Sequence, residues 1–327
     1  MAAVLEAHAT GRLVALRTSG TTGGPRSVVR TTDSWVRSFQ HVAALTSLGS
    51  GSRMWLPGPL SATLTLFAAT LARHRGVPVV DRPGSATHAH LTPLQLQRAL
   101  DEGERLDGLR LTVAGDRLGR ALRAGAETAG AVVDHYYGTA ELSFVAWGSD
   151  EQDLRPFPGV EIVVRDGEVW VRSPYLCEGY AGPAGPMRRD SSGFATVGDR
   201  GRLEDGVLTV AGRGDSTVLT GGATVLVADV EEALRTSARG AVVVVGVPHA
   251  TMGQVVSAVL TDRDDLQAVH AASLELSVPA QRPRWWFHVP VLPLTGAGKV
   301  DRAALVDQVS APDSVRLVPR RPRAAAT

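Results

Sequence analysis

A short segment near the amino end combines residue types that suit phosphate binding. It reads TSGTTGGPR, from Thr18 to Arg26, and follows the strand-like LVAL directly. Glycines let backbone N–H groups approach a phosphate closely, while hydroxyls can bind phosphate oxygens or a metal ion. A flexible polar loop is the ordinary interpretation of such a composition. Because the segment stands between a predicted strand and a predicted helical segment, a phosphate cradle is favoured, although the Gly-Lys-Ser/Thr ending of the P-loop is absent.

A single lysine near the other end is the second candidate for chemistry. Lysine and arginine together number 34, and Lys299 is the only lysine among them. Coding bias accounts for most of this avoidance, but arginine cannot replace a compact ammonium that makes a point contact. Lys299 is therefore a candidate for such a contact.

Composition excludes several classes of protein. The chain has 327 residues and a formal net charge of +1, which does not give the broad positive surface of a nucleic-acid-binding protein. No apolar run reaches the roughly 18 residues of a membrane span, and the start lacks the features of a signal peptide. We therefore expect a cytoplasmic protein. Cys177 is the only cysteine, which excludes an internal disulfide and favours a small buried apolar side chain.

The pattern of apolar runs predicts an α/β protein. Between Leu13 and Gly148 the runs LVAL, RMWLP, VPVV, LRLTV and AVVDHYY alternate with helical patterns, which indicates a mostly parallel sheet. We expect four regions, namely an α/β part (1–150), a β-rich part with Asp-Gly turns (151–214), a small α/β domain (215–312) and a disordered tail (313–327). His88 and His90 are interpreted as a solvated pair in a loop, and Trp285–Phe287 as part of a strand.

Five motifs, in order, resemble those of the adenylate-forming superfamily, which includes acyl-CoA synthetases, peptide-synthetase adenylation domains and luciferases. TSGTTGGPR resembles the phosphate loop, with Arg26 where the family usually has lysine. HYYGTAELS resembles the family's aromatic-Gly-Thr-x-Glu turn. The remaining three motifs are VGDRGRLEDG, AGRGDSTVLTGGATVLVADVEEAL and PLTGAGKVDR. Together the five motifs span almost the entire chain.

The resemblance implies roles for residues that would contact the nucleotide. Tyr137 would stack on adenine, Thr139 would contact phosphate, and Glu141 would hold Mg²⁺. Lys299 would contact the reacting carboxylate and the α-phosphate. The implied ATP-binding loop consists of Thr18, Ser19, Gly20, Thr21, Thr22, Gly23 and Arg26.

Further residues match the family's ribose contacts, hinge and CoA channel. Asp199 and Arg213 would bind the ribose, and the two oxygens of a carboxylate suit a pair of hydroxyls. Asp215 matches the hinge of the family's small domain. Gly221 and Gly222 lie in LTGGATVLVADVEE, which resembles the acyl-CoA synthetase segment that lets the pantetheine arm of CoA pass.

The resemblance also implies an overall fold and reaction. The fold would be a truncated adenylate-forming fold, with a parallel α/β sheet, a β-rich subdomain and a small mobile C-terminal domain. A carboxylic acid and ATP would give acyl-AMP, and CoA would then take the acyl group, as in fatty acid metabolism. The alternatives are transfer to a carrier protein or an amine, or a truncated non-catalytic nucleotide-binding relative. Because the large region that usually precedes the phosphate loop is short here, we expect a second copy or a partner chain to cover exposed apolar surface.

Overall fold

The computed structural model describes residues 2–17, 26–212, 217–295 and 300–319. The helices are α1 (Ala2–Ala9), α2 (Asp33–Thr46), α3 (Thr63–His74), α4 (Pro93–Asp101), α5 (Arg120–Thr128), α6 (Val227–Arg235), α7 (Leu266–Leu274) and α8 (Arg302–Ser310). The strands are β1 (Leu13–Arg17), β2 (Ser27–Thr31), β3 (Met54–Trp55), β4 (Val79–Val80), β5 (His88–Leu91), β6 (Arg110–Ala114), β7 (Val132–Thr139), β8 (Ser143–Gly148), β9 (Arg155–Pro156), β10 (Glu161–Arg165), β11 (Glu168–Arg172), β12 (Gly179–Ala181), β13 (Arg188–Arg189), β14 (Ala195–Thr196), β15 (Arg200–Glu204), β16 (Val207–Gly212), β17 (Thr217–Thr220), β18 (Ala223–Leu226), β19 (Val242–His249), β20 (Gly253–Leu260), β21 (Trp285–His288) and β22 (Arg316–Leu317).

The chain divides into two compact units. The larger consists mainly of Met1–Ala211, and the smaller mainly of Gly212–Leu294 and Val300–Thr327. Both the region expected as α/β and most of the region expected as β-rich therefore lie in the larger unit. Among the described residues, the helices are all too short or too polar to cross a lipid bilayer.

A mainly parallel sheet organises the larger unit. Its strand order is β4-β3-β5-β6-β7-β8-β9, and the strands from β4 to β7 run parallel. Leu91, Leu111 and Val113 are completely buried, as expected of strands covered on both faces. Helix α4 begins with a capping box between Thr92 and Gln95, which fixes its start after β5. The predicted strands in RMWLP, VPVV, LRLTV and AVVDHYY all belong to this sheet, which confirms that part of the prediction.

The strand LVAL does not join the parallel sheet, and this part of the prediction is wrong. It forms β1, which pairs antiparallel with β2, and β12 pairs with the other edge of β2. The helical segment expected after the glycine-rich turn is wrong as well, because β2 comes first and α2 begins only at Asp33. The sequence SVVRT explains the difference, since alternate residues Val28 and Arg30 are buried on one face of a strand.

The β-rich part of the larger unit is built on tight hairpins. Asp166 and Gly167 join β10 to β11 with φ of 51° and 75°. Asp205 and Gly206 join β15 to β16 with φ of 50° and 76°. Two central residues with positive φ define the type I′ turn that Asp-Gly favours, so the predicted turn chemistry is confirmed.

The smaller unit has its own sheet and core. Its strand order is β18-β17-β20-β21-β22, with β19 paired on β20. Helices α6, α7 and α8 cover this sheet, and buried residues such as Val244 and Trp286 fill the core. The predicted strand at Trp285–Phe287 is confirmed by β21. The expectation of disorder from residue 313 is wrong in part, because Arg316–Leu317 pairs with β21, while 320–327 fall outside the described residues.

The interpretation of His88 and His90 as a solvated pair in a loop is wrong. Both lie on β5 between two other parallel strands, and His90 is only 3% exposed. The imidazole of His90 packs edge-on against the rings of Phe67 and Tyr136. Burial in this apolar setting lowers the pKa of His90 to about 3. His90 therefore stays neutral in the folded protein through most of the acidic range.

Burial of His90 predicts a specific dependence of stability on pH. Below an ordinary histidine pKa near 6.5 the unfolded chain binds a proton that folded His90 refuses, so stability is lost as pH falls towards about 3. Between pH 6 and pH 4 the unfolding free energy of the wild type should fall more steeply than that of His90→Leu, by about 1.4 kcal/mol per pH unit. Urea denaturation at several pH values measures both slopes. Equal slopes for wild type and His90→Leu would contradict the prediction.

Candidate active site

Two of the predicted nucleotide-binding residues meet beside the last strand of the parallel series. The hydroxyl of Tyr137, on β7, donates to Oδ2 of Asp199 at 2.5 Å. Asp199 is only 6% exposed and lies between β14 and β15. These residues are 62 positions apart in the sequence, so the fold itself brings together the expected adenine and ribose contacts.

A tight turn after β7 determines the position of Glu141. The register of β7 on β8 shifts between Tyr137 and Gly138. A Cβ at Gly138 would lie 2.2 Å from the carbonyl oxygen of Ser143, so only glycine fits this close approach. Within the turn, the Leu142 N–H donates to the Thr139 hydroxyl at 3.1 Å. Thr139 and Glu141 are thus held on one short turn, as the motif predicts.

The carboxylate of Glu141 is buried and hydrogen-bonded. It is 6% exposed, and Oε1 accepts a hydrogen bond from the Tyr180 hydroxyl at 3.0 Å. The Glu141 carbonyl accepts from the N–H of Cys177 at 2.8 Å, which ties the turn to the segment leading into β12. Burial, reinforced by the charge of Glu141, raises the pKa of Tyr180. Tyr180 therefore keeps its proton and remains a hydrogen-bond donor at neutral pH.

A buried arginine lies beneath the same turn. Arg30, on β2, is completely buried, and one Nη donates to the carbonyls of Ala140 and Tyr175, each at 3.1 Å. Loss of hydration lowers the pKa of Arg30 to about 10, so the side chain is still a cation at neutral pH. The nearby carboxylate of Glu141 opposes this shift. Arg30 therefore provides positive charge near the predicted metal-binding carboxylate.

Sequence reasoning did not find Arg30 or Tyr180. A signal for Arg30 was present, because the alternation of SVVRT puts a charged residue on the same strand face as Val28. Such a position is unusual unless the charge is paired or hydrogen-bonded. Tyr180 carried no comparable signal, since it reaches Glu141 across 39 positions of the sequence.

Most of the predicted phosphate loop falls outside the described residues. So do the second residue expected at the ribose, the residue expected at the hinge and the lysine expected at the carboxylate. Of the loop, Arg26 is described, and it is half-buried immediately before β2. The pair Arg17 and Ser27 closes the ladder of β1 and β2 on either side of the turn. The residues outside the described ranges are Thr18, Ser19, Gly20, Thr21, Thr22, Gly23, Arg213, Asp215 and Lys299.

The predicted CoA-binding glycines belong to the smaller unit. Gly221 and Gly222 join β17 to β18 with φ of 54° and 84°, which a type I′ hairpin requires. Turn geometry alone accounts for both glycines. A Cβ at Gly222 would meet no atom within 4 Å, so its outer side is open.

Arg302, three residues after Lys299 in the same motif, is half-buried and bonded to the smaller unit. Its guanidinium makes two hydrogen bonds to Glu231 of α6, at 2.9 and 3.0 Å, and a third to the Val244 carbonyl at 2.7 Å. Glu231 also accepts from the Val244 N–H at 2.7 Å. Within the described residues, Leu294 and Val300 form an antiparallel bridge that brackets the motif. Arg302 therefore has a structural role.

The described residues fit a magnesium ion that is brought in with a nucleotide. No group of three or more histidine, cysteine, aspartate or glutamate side chains in the described ranges could hold a metal alone. Glu141 offers a buried carboxylate, and Mg²⁺ in nucleotide sites is typically held by one or two carboxylates together with substrate phosphates. A cation bound to Glu141 would therefore need phosphate oxygens to complete its coordination shell.

The fold is that of the adenylate-forming enzymes. The structure superimposes on ATP-bound MatB from Rhodopseudomonas palustris with a TM-score of 0.79 and 21% identity, over 90% of this chain and 67% of that one. It also superimposes on the amide bond synthetase McbA from Marinactinospora thermotolerans, with a TM-score of 0.73 and 25% identity. That superposition covers 90% of this chain and 68% of McbA. These superpositions confirm the predicted α/β fold class.

Sequence comparison assigns the family. The family of AMP-binding enzymes matches residues 13–181. A probable 2-succinylbenzoate–CoA ligase of Mycobacterium tuberculosis is 32% identical over 329 residues, which covers 88% of this chain and 82% of that protein. The chain belongs to the family of AMP-binding enzymes, and its class is that of adenylate-forming ligases.

Loss of the ion pair between half-buried Arg302 and buried Glu231 should destabilise the protein. Arg302→Ala leaves Glu231, whose side chain is 10% exposed, without its cation, and should lower the unfolding free energy by about 3 kcal/mol. Arg202→Ala is the matched control, because its pair with Glu204 is largely exposed and should contribute less than about 1 kcal/mol. Chemical denaturation of the full chain measures both. Similar small losses for the two variants would show that the buried pair is not structural.

Proposed function

We propose that the protein activates a carboxylic acid with ATP and transfers the acyl group to CoA. In the first step a carboxylate oxygen attacks the α-phosphorus, the bond to the β-phosphate oxygen breaks, and acyl-AMP and pyrophosphate form. In the second step the CoA sulfur attacks the acyl carbon, AMP leaves, and the thiol proton passes to solvent. The observation that supports this most is the Tyr137–Asp199 hydrogen bond beside the turn that carries Glu141.

The first step needs positioning and charge neutralisation far more than proton transfer. Tyr137 and Asp199 are proposed to hold the adenine and ribose, with Arg213 as a second ribose contact. Thr139 and the loop Thr18–Gly23 with Arg26 are proposed to bind the phosphates. Mg²⁺ on Glu141 would neutralise phosphate charge when bound.

Residues from the C-terminal part of the chain are proposed to serve both steps. Lys299 would contact the carboxylate and the α-phosphate during adenylation, where a compact ammonium can approach both oxygens. Asp215 remains the proposed hinge, and the open outer side of Gly222, next to Gly221, is proposed to admit the pantetheine arm. The name of the mycobacterial relative makes 2-succinylbenzoate the first acid to test.

A second candidate function differs only in the molecule that accepts the acyl group. The likeness to McbA, which is named an amide bond synthetase, favours transfer of the acyl group from acyl-AMP to an amine. In that reaction the amine nitrogen would attack the acyl carbon, AMP would leave, and the proton lost by the nitrogen would pass to solvent. The same activated acid would thus serve a nitrogen nucleophile in place of a sulfur nucleophile.

Pyrophosphate release over a panel of acids tests the proposal. Succinylbenzoate, fatty, aromatic and dicarboxylic acids should be supplied with ATP and Mg²⁺, alone and with CoA, a phosphopantetheinyl carrier protein or an amine. We expect release with at least one acid, and a thioester product only when CoA is present. Amide formation would favour the second candidate. ATP binding without pyrophosphate release from any acid would indicate a non-catalytic nucleotide-binding protein.

Substitution of Lys299 should separate the two half-reactions. Lys299→Ala should lower acid-dependent ATP–pyrophosphate exchange by about 100-fold or more, because the transition-state charge loses a fixed cation. Thioester formation from supplied acyl-AMP and CoA should remain close to the wild-type rate. Lys299→Arg is the matched variant, and it should also fail in exchange if a compact ammonium is required. Equal loss of both half-reactions would contradict the proposed role of Lys299.

A further inference from the structure

One of the two carboxylate oxygens of Glu141 is already engaged. Oε1 accepts the hydrogen bond from Tyr180 at 3.0 Å, while in the described part of the chain no donor is bonded to Oε2. Because the side chain is 6% exposed, water cannot surround it freely. The two oxygens of Glu141 therefore have different capacities to bind a cation.

The hydroxyl of Tyr180 is itself fixed in direction. It accepts a hydrogen bond from the Met187 N–H at 3.2 Å, so its own hydrogen is left to point towards Glu141. The backbone of Tyr180 is paired with Val28 on β2. Gly185 lies close to the Tyr180 ring, because a Cβ there would be 2.1 Å from the ring carbon Cζ. Backbone pairing, the Met187 N–H and Gly185 thus leave the ring little freedom.

We propose that Tyr180 is a positioning residue that holds Oε1 of Glu141 and leaves Oε2 as the oxygen presented to the divalent cation of the nucleotide complex. The inference rests on the function proposed above, in which Glu141 binds that cation. Mg²⁺ demands near-ideal octahedral geometry and keeps several waters, whereas Ca²⁺ accepts one or both oxygens of a carboxylate in a flexible shell. Presentation of one fixed oxygen should therefore favour Mg²⁺ over Ca²⁺.

Removal of the Tyr180 hydroxyl tests the inference through metal binding. The full-length Tyr180→Phe variant would be saturated with a non-hydrolysable ATP analogue and titrated with Mn²⁺, with free Mn²⁺ read by electron paramagnetic resonance. Mg²⁺ and Ca²⁺ would then displace the bound Mn²⁺. We expect the dissociation constant for Mg²⁺ to rise about 10-fold, the usual loss when a partner of a metal ligand is removed. The dissociation constant for Ca²⁺ should rise less.

A second variant keeps the hydroxyl and moves the ring. Gly185→Ala places a methyl group against Tyr180 and should reproduce the loss of Mg²⁺ affinity. Tyr175→Phe is the control for loss of a tyrosine hydroxyl, because Tyr175 is buried and donates to the Pro158 carbonyl instead. Gly49→Ala is the control for the added methyl group, since a Cβ there meets no atom within 4 Å. Both controls should keep the wild-type affinities for Mg²⁺ and Ca²⁺.

Glu141→Gln separates failure of this inference from failure of the proposed function. If Glu141→Gln binds both cations as tightly as the wild type, the metal-binding role of Glu141 is wrong. If Glu141→Gln weakens binding while Tyr180→Phe and Gly185→Ala do not, Glu141 keeps its role and the positioning role of Tyr180 is overturned. Equal losses for Mg²⁺ and Ca²⁺ in Tyr180→Phe would also overturn it, because a general loosening of the site cannot change the preference between cations.

Discussion

The arrangement at the end of β7 depends on a buried cation. Arg30 has been removed from water, and its described hydrogen bonds go to the carbonyls of Ala140 and Tyr175. An uncompensated buried charge costs several kcal/mol, so the partners of Arg30 must stay in place for the protein to remain folded. The strand that follows the predicted phosphate loop is in this way fixed to the turn that carries Glu141. Folding of the larger unit and assembly of its predicted nucleotide site are therefore the same event.

The parallel sheet determines where the predicted site lies. In open α/β sheets, ligands bind outside the carboxyl ends of the parallel strands. Strand β7 is the last parallel strand, and it ends at Thr139 with the register shift that only Gly138 allows. Tyr137 and Glu141 consequently leave the sheet at its carboxyl edge, where Asp199 and Tyr180 from the β-rich part meet them. Residues from three sheets thus supply the polar contacts of the site.

The sequence predicted the strands of the parallel sheet and the Asp-Gly hairpins because both depend on local pattern. Continuous apolar runs such as LRLTV indicate buried strands, and Asp166–Gly167 indicates a type I′ turn. The sequence could not place β1, because LVAL is equally compatible with the parallel sheet and with the three-stranded antiparallel sheet. Which sheet it joins depends on the pairing of β1 with β2 and of β2 with β12. His90 was misread for a similar reason, since alternation in HAHL carries no sign of the aromatic rings that surround it. Tyr180 depends on a contact between distant residues that no local pattern encodes.

Arginine and lysine have different roles in this chain: Arg302 is structural, whereas Lys299 is proposed to contact the substrates. Arg302 makes two hydrogen bonds to Glu231, a geometry that the planar guanidinium provides and an ammonium does not. Arg26 stands where the family usually has lysine, which is understandable at a phosphate loop because a guanidinium also binds phosphate well. Lys299 is the only lysine in a chain that otherwise uses arginine as its basic residue. Under the proposed function Lys299 would contact both a carboxylate and the α-phosphate, and a compact ammonium can approach two such oxygens where a planar guanidinium, with its fixed fork of donors, cannot adapt as well.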